Sequence, residues 1–335
     1  MQKHMKEAEE IQKKIQKQLA LEEKERERKE AIRAAREKRI QEATIFWKDV
    51  IATWPQKKTL PKTKTMWWHG FPSSVRGHLW TLVIANDLNI TEELFEIFGG
   101  HAKSAREKKG TTLGREDTVD LIPVDLPRTF PALSIFQENG PCHGQLRDVL
   151  EAYVCFRPDV GYVQGMSYMA AVFLLNLDPF SAFKCLTNIL NRSMFLTFFR
   201  MNEVELARYF HAYEMALSQT YSKLYKHLKQ FEFNHMTYLV DWVMTMYSKA
   251  LPIDISSRIW DVYFGEGEYF IFRTAIGLLK YLGPKLEKAP FDDIVKVLHH
   301  LPATMDEDEL FACIEKVDLT AEKWQKLLDA AAKKK

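Results

Sequence analysis

Apolar residues recur with the period of an α-helix over most of this chain. From Phe71 onward, large apolar side chains follow the spacing i, i+3, i+4, i+7, as at Leu146, Val149, Leu150 and Tyr153. No segment shows the sustained alternation of apolar and polar residues that a half-buried strand requires. The 14 glycines and 13 prolines are few for a turn-rich β fold of 335 residues. The sequence therefore predicts an all-α protein.

The first 40 residues carry a high density of charge. They contain 13 Lys or Arg and 9 Asp or Glu, and several acidic residues precede a basic residue by four positions. That spacing stabilises an isolated helix by about 0.2–0.5 kcal/mol per pair, so we predict a long charged helix over residues 1–45. Residues 22–31 contain no large apolar side chain, which limits any coiled-coil seam to Ile11, Ile15 and Leu19. Two interpretations remain: a solvated helix, or a short coiled coil that binds a protein partner or dimerises.

Proline marks a boundary after this helix. Pro55 and Pro61 punctuate a basic, threonine-rich stretch, which predicts a linker and lead-in segment over residues 46–66. The helical pattern follows this boundary.

A Gly-Gly pair and a Gly-Pro pair predict two helix ends within the helical region. Gly99-Gly100 and Gly283-Pro284 resemble helix stops, because glycine favours the position after a helix and proline cannot continue one. The polar residues 101–118 predict a surface loop.

Overall charge argues against a nucleic-acid partner. The net charge is +2 and acidic residues are interleaved with basic ones, unlike a polycation that coats nucleic acid. A basic cluster near the boundary that could contact nucleic acid consists of Lys57, Lys58, Lys62 and Lys64.

The charged N-terminus does not resemble a signal peptide, and no run of 18 apolar residues occurs. The four cysteines form no C-x-x-C motif, so we expect a cytoplasmic chain with reduced thiols.

Familiar catalytic motifs are missing from the sequence. It contains no P-loop, no H-E-x-x-H and no G-x-S-x-G, and the adjacent His299 and His300 would point about 100° apart on a helix. We therefore expect neither a metal site nor a cofactor of its own.

A proline-rich segment presents a single arginine. Three prolines within residues 122–131 forbid a regular helix and bias the residue before each towards extended geometry. A stiff loop that carries the planar guanidinium of Arg128 suits phosphate recognition. An ordinary ion pair with Asp125 is the plainer alternative.

A second irregular segment, residues 161–166, brackets a glutamine with glycines. Gly161 and Gly165 allow positive φ and the close approach of another backbone. The amide of Gln164 can donate and accept hydrogen bonds at once, which suits the positioning of a water molecule. Helix capping with a buried amide is the alternative.

Taken together, four blocks of the sequence resemble the TBC domain of Rab GTPase-activating proteins, over about residues 67–301. The first block, 70–80, reads G-F-P-S-S-V-R-G-H-L-W and is similar to the opening motif of the family. The second is I-P-V-D-L-P-R at 122–128, and the third is Y-V-Q-G at 162–165. The fourth is R-I-W-D at 258–261, followed by E-G and F-R. Residues 302–335 would then form a C-terminal helical segment with a basic tail.

The resemblance implies a V-shaped domain of two helical lobes that activates a GTPase rather than acting as an enzyme itself. Arg128 would be the arginine finger and Gln164 the glutamine finger, both supplied to the GTP-bound Rab that brings GTP and Mg²⁺. Asp125, Tyr162, Gly165 and Ile122 would support the fingers or face the Rab.

The remaining motif residues are expected to hold the fold through buried hydrogen bonds and ion pairs. They are Arg76, Trp80, Arg258, Trp260, Asp261 and Arg273. The family also implies a role in vesicle trafficking, at endosomal, Golgi or autophagic membranes reached indirectly through the Rab. The alternative function is a Rab-binding effector or scaffold in trafficking or autophagy with little activating power, which uses the charged helix of residues 1–45 as an additional binding element.

Overall fold

The protein is all-helical in the computed structural model, which describes residues 2–107 and 114–333. These residues form 18 α-helices and three short 3₁₀ helices, with no strand among them. The fold class predicted from the periodicity is therefore confirmed. The α-helices are α1 (Gln2–Ala52), α2 (Trp54–Lys57), α3 (Pro61–Trp68), α4 (Ser73–Ile84), α5 (Glu92–Glu107), α6 (Ile122–Asp125), α7 (His143–Phe156), α8 (Met166–Leu174), α9 (Pro179–Leu190), α10 (Ser193–Phe199), α11 (Glu203–Thr220), α12 (Ser222–Gln230), α13 (Met236–Met244), α14 (Ile253–Glu266), α15 (Tyr269–Leu286), α16 (Phe291–His299), α17 (Glu307–Glu315) and α18 (Ala321–Ala332). The 3₁₀ helices are Glu116–Leu121, Leu126–Arg128 and Pro131–Leu133.

Residues up to Leu60 and residues from Pro61 onward form two compact units. In the first unit, α1 spans the predicted charged helix and continues to Ala52. Leu19 and Leu21 on this helix are exposed. The side chains of Ile11 and Ile15 lie outside the described ones, so the short coiled-coil seam stays a prediction.

Helices occupy residues 46–66, where the sequence predicts a linker and lead-in segment. The end of α1, the single turn of α2 and most of α3 occupy it. The prolines fit because each lies at a helix start: Pro55 is the second residue of α2, and Pro61 is the first of α3. The N–H group that proline lacks has no intrahelical acceptor at these positions.

The predicted helix end at Gly99-Gly100 is wrong. Helix α5 continues through both glycines to Glu107. Glycine costs about 1 kcal/mol relative to alanine inside a helix, which tertiary packing can offset. Here Phe98 packs edge-on against Phe156 of α7. The predicted loop at 101–118 is helical in its first part, and residues 108–113 lie outside the described chain.

The predicted stop at Gly283-Pro284 is also wrong, because α15 includes both residues and ends at Leu286. Pro284 lies in the last turn, where it removes only one hydrogen bond of the helix. Packing requires glycine at position 283, because a Cβ atom there would lie 2.2 Å from the hydroxyl oxygen of Tyr221. That hydroxyl donates a hydrogen bond to Glu287 Oε1 at 2.8 Å. The glycine therefore makes room for a neighbouring side chain.

Buried aromatic rings form a core of the second unit. The Trp80 ring of α4 lies 5.4 Å from the Trp260 ring of α14, and Phe173 of α8 lies 5.0 Å from Trp260. Ring pairs at these separations stabilise by about 0.5–1.5 kcal/mol beyond their buried area. The Trp260 indole donates to the carbonyl of Met246 at 2.9 Å, so its polar atom is satisfied.

The carboxylate of Asp261 joins this core to the segment before α4. Its Oδ1 accepts from the Trp80 indole at 2.7 Å, and its Oδ2 accepts from the Phe71 backbone N–H at 2.8 Å. Arg76 Nε lies 3.1 Å from Oδ2, and the carbonyl of Asp261 accepts from Trp67 Nε1 at 2.6 Å. Burial raises the pKa of the Asp261 carboxyl above its usual value, although the Arg76 charge and the hydrogen bonds from Phe71, Trp80 and Arg76 oppose the rise. The motif residues thus make a buried polar junction.

Arg258 joins the C-terminal segment to the same unit. Its guanidinium contacts Glu307 Oε1 at 2.9 Å and lies over the Phe311 ring, 3.7 Å from the ring centroid. Further along, the Trp324 ring of α18 stacks on Phe272 at 4.2 Å. Residues 302–333 are therefore packed into the second unit rather than appended to it.

Buried His235 makes the stability of this unit depend on pH. Its Nδ1 lies 3.0 Å from the Tyr238 hydroxyl, and burial lowers the pKa of His235 to about 4. The unfolded chain then binds a proton from about pH 6.5 downward, while the folded state does not until about pH 4. We expect the free energy of unfolding to fall by about 3 kcal/mol between those limits. Urea titrations at each pH measure it. His235→Gln should show a clearly shallower loss, and equal losses in both proteins would contradict the assignment.

Candidate functional site

The segment that carries Arg128 is built from short helical turns. Helix α6 and the 3₁₀ turns Leu126–Arg128 and Pro131–Leu133 follow one another. Ile122 and Leu126, each before a proline, have helical backbone angles, and Phe130 before Pro131 is left-handed, so the predicted extended geometry is wrong at all three residues. Each proline lies at the first or second residue of its turn, where its fixed φ fits and its missing N–H costs nothing.

The Arg128 side chain is exposed and anchored at one nitrogen. Its exposed fraction is 59%, and Nη2 pairs with Oδ1 of the buried Asp125. The described residues supply no other hydrogen-bond acceptor to this guanidinium, so most of its five N–H donors face solvent. The segment therefore presents a cation whose direction is fixed by a buried carboxylate.

The segment that carries Gln164 turns at two glycines. Gly161 and Gly165 have φ of +70° and +103°, as the sequence predicts. A Cβ atom on Gly161 would lie 2.7 Å from the Cβ of Arg115, so the backbone approach also requires glycine. Helix α8 begins at Met166, directly after this turn. The Gln164 side chain is exposed and makes no hydrogen bond to any residue that the structure describes. The alternative of a buried amide is therefore wrong.

Asp125 connects the two segments. Its Oδ2 accepts a hydrogen bond from the Tyr162 hydroxyl at 2.7 Å, while its Oδ1 holds Arg128. Burial, and then the hydrogen bond to Asp125, raise the pKa of Tyr162, so the phenol keeps its proton. One carboxylate thus positions the arginine and the residue two places before Gln164.

Two further contacts lie directly beside the exposed groups. The hydroxyl oxygens of Thr129 and Ser167 lie 2.8 Å apart, and both residues are buried. The Tyr168 hydroxyl donates to the carbonyl of Arg128 at 2.7 Å. Each contact bridges about 40 positions of sequence, and together they hold the arginine and glutamine segments side by side.

The structure separates the predicted site residues by exposure. Arg128 and Gln164 present their side chains to solvent, whereas Ile122, Tyr162 and Gly165 are buried. These three residues can support the site but offer little surface for a partner. Sequence reasoning missed three polar residues of the site, whose only signal is their place next to the motifs: Thr129, Ser167 and Tyr168.

Charges near the site are paired. Lys249 Nζ lies 2.8 Å from Asp241 Oδ1, as Arg128 pairs with Asp125. Burial raises the pKa of Tyr168, the charges of Asp241 and Asp125 raise it further, and Arg128 lowers it.

Across the described ranges 2–107 and 114–333, no cluster of three or more His, Cys, Asp or Glu could hold a metal ion. No helix in those ranges is long and apolar enough to span a membrane.

Fold and motifs together define a class of protein: an all-helical domain of the Rab GTPase-activating type. A family model described as "Rab-GTPase-TBC domain" matches residues 73–287. The chain belongs to this family.

Similar proteins agree with this assignment. The chain is 38% identical to mouse TBC1 domain family member 12 over 338 residues, which cover 94% of the chain and 49% of that protein. It is 40% identical to human TBC1 domain family member 14 over 352 residues, 97% of the chain and 51% of that protein. It is 39% identical to Drainin of Dictyostelium discoideum, with 85% of the chain and 76% of Drainin covered. The chain spans about half the length of the two TBC1 relatives.

Solved structures show the same fold at low identity. The Chlamydomonas flagellar RabGAP TBC domain aligns with a TM-score of 0.63 and 20% identity, over 83% of this chain and 94% of that one. The Ypt/Rab-GAP domain of Gyp1p aligns with a TM-score of 0.63 and 17% identity, over 86% of this chain and 99% of that one.

Proposed function

We propose that this chain accelerates GTP hydrolysis by a Rab GTPase through Arg128 and Gln164. One observation carries the proposal: an exposed guanidinium and an exposed amide project from two segments that hydrogen bonds hold together. The Rab would supply GTP, Mg²⁺ and the phosphate-binding loop. The activator would then contribute positioning and charge, the two means by which phosphoryl transfer is catalysed.

Arg128 would stabilise the charge that develops on the γ-phosphoryl oxygens and the bridging oxygen. Its ion pair with Asp125 occupies one edge of the guanidinium and leaves donors for phosphate oxygens. A cation in an interface that excludes water acts more strongly than one in bulk solvent. The finger can therefore work without leaving Asp125.

Gln164 would orient the attacking water. Its amide oxygen can accept a hydrogen bond from that water while its N–H group donates one to a nearby acceptor. Because no described residue competes for this amide, both functions are available to a ligand.

Single-turnover GTP hydrolysis over a panel of purified GTP-loaded Rabs tests this proposal. We expect stimulation of one or a few Rabs by the wild-type chain, and Gln164→Ala to lower the stimulated rate by about 10²–10³, as for other preorganised catalytic donors. Gln219→Ala, on exposed α11 surface, is the matched control and should keep the wild-type rate. Equal rates for Gln164→Ala and wild type would contradict the glutamine role.

A Rab-binding effector or scaffold is the second candidate function. It is favoured by α1, a 51-residue helix whose described side chains are largely exposed from residue 16 to residue 42. Such a helix could bind a protein partner through the surface around Leu19 and Leu21. The same panel separates the candidates: an effector binds a GTP-loaded Rab without a change in its hydrolysis rate. In either case the Rab, which carries a lipid anchor, would bring the chain to endosomal, Golgi or autophagic membranes.

A further inference from the structure

The Tyr168 side chain meets Arg128 from the opposite segment. It lies on the first turn of α8, four residues after Gln164, and its hydroxyl reaches the Arg128 carbonyl at 2.7 Å. Its ring packs edge-on against Phe130, with centroids 5.1 Å apart. Tyr168 therefore contacts the backbone of the proposed finger and the residue two places beyond it.

The backbone at this point needs such support. Phe130 has a φ of +45°, a left-handed conformation that a bulky residue adopts only when its surroundings enforce it. The 3₁₀ turn that carries Arg128 is only three residues long and ends at Arg128, two residues before Phe130. Asp125 fixes the tip of the arginine side chain, and Thr129 is tied to Ser167. The Tyr168 hydroxyl fixes the remaining element, the peptide group of Arg128 itself.

We infer that Tyr168 is a positioning residue, which sets the direction of Arg128 by holding its carbonyl. The inference rests on the proposed function of Arg128. Tyr168 acts through the backbone and needs no contact with the Rab or with GTP. Its hydroxyl keeps the proton that it donates, because burial makes the phenol harder to ionise.

Tyr168→Phe tests the inference, because it removes the hydroxyl and keeps the ring on Phe130. We expect the single-turnover rate on a stimulated Rab to fall about 2- to 10-fold, the worth of one net hydrogen bond, with the affinity for that Rab unchanged. Tyr225→Phe on α12 is the matched control. Its hydroxyl makes no hydrogen bond to the described residues, and this variant should keep the wild-type rate.

A double-mutant cycle distinguishes positioning from general loosening of the fold. In the Arg128→Ala background, Tyr168→Phe should cause no further loss, whereas in the Gln164→Ala background it should cause its full loss. A full loss in both backgrounds, or a wild-type rate for Tyr168→Phe alone, would overturn the inference.

Amide hydrogen exchange gives a readout that needs no Rab. The Thr129 N–H donates to the Leu126 carbonyl at 3.1 Å, and Tyr168→Phe should speed exchange across residues 122–131 while α14 keeps its wild-type protection. Unchanged exchange would overturn the inference even if the rate falls. If the wild type stimulates no Rab, the proposed function fails, and faster exchange still supports Tyr168 as the residue that holds this backbone.

Discussion

Replacement of Arg128 by alanine should lower the Rab-stimulated rate of GTP hydrolysis by about 10³–10⁵, the range found for arginine fingers. The expected effect is large because the guanidinium is exposed and held by one edge only, so its other donors can reach phosphate oxygens. Single-turnover hydrolysis with saturating activator measures it. Circular dichroism should match the wild type, and thermal unfolding should show only a small loss, because Arg128 itself is exposed and Asp125 keeps the hydrogen bond from Tyr162.

Two further variants sharpen this test. Arg128→Lys keeps the charge but loses the planar fork, so it should recover only a small part of the rate. Arg33→Ala removes an equally charged and likewise exposed side chain from α1, and it should leave hydrolysis unchanged. A rate for Arg128→Ala within a few-fold of the wild type would show that the chain does not act through this arginine.

Replacement of Asp261 by alanine should destabilise the second unit by about 3–5 kcal/mol, the cost of leaving one partner of a buried ion pair alone. The carboxylate accepts hydrogen bonds from the Trp80 indole and the Phe71 backbone, and it pairs with Arg76. All three donors lose their acceptor together. The free energy of unfolding from urea titration is the measurement.

An intermediate variant and a control variant show whether the loss of stability comes from the Asp261 carboxylate. Asp261→Asn retains two acceptor positions on one oxygen but loses the charge, so it should fall between alanine and wild type. Asp329→Ala removes a carboxylate from an exposed pair with Arg208 and should change stability little. Equal stabilities for Asp261→Ala and Asp329→Ala would contradict the structural role of the buried junction.

The fold class could be predicted from the sequence because helical periodicity is a local property. The apolar faces of Leu146–Tyr153 and the motif blocks are visible without knowledge of what they pack against. The helix ends predicted from glycine and proline were wrong where tertiary contacts decide the outcome. Gly283 serves the close approach of Tyr221, a residue more than 60 positions away, and no local pattern reveals that partner.

The two exposed groups of the site and the ion pair of Arg128 with Asp125 were predicted, whereas the hydrogen bonds of Thr129 and Tyr168 that join the two segments were not. Arg128 and Gln164 lie within recognisable motifs. By contrast, the bond from Tyr168 to Arg128 and that from Ser167 to Thr129 join residues about 40 positions apart. A hydroxyl group gives no sequence signal of what it will bond, since its acceptor is chosen by the three-dimensional arrangement of the backbone.

The ion pair between Asp125 and Arg128 also has an entropic consequence. A free arginine side chain loses about 2 kcal/mol of rotamer entropy when it is immobilised. Because the buried carboxylate already restricts this guanidinium, part of that loss occurs when the chain folds rather than when it meets its partner. The encounter complex then starts with fewer arginine conformers to search. Arg128 therefore loses less side-chain entropy when the complex with the partner forms.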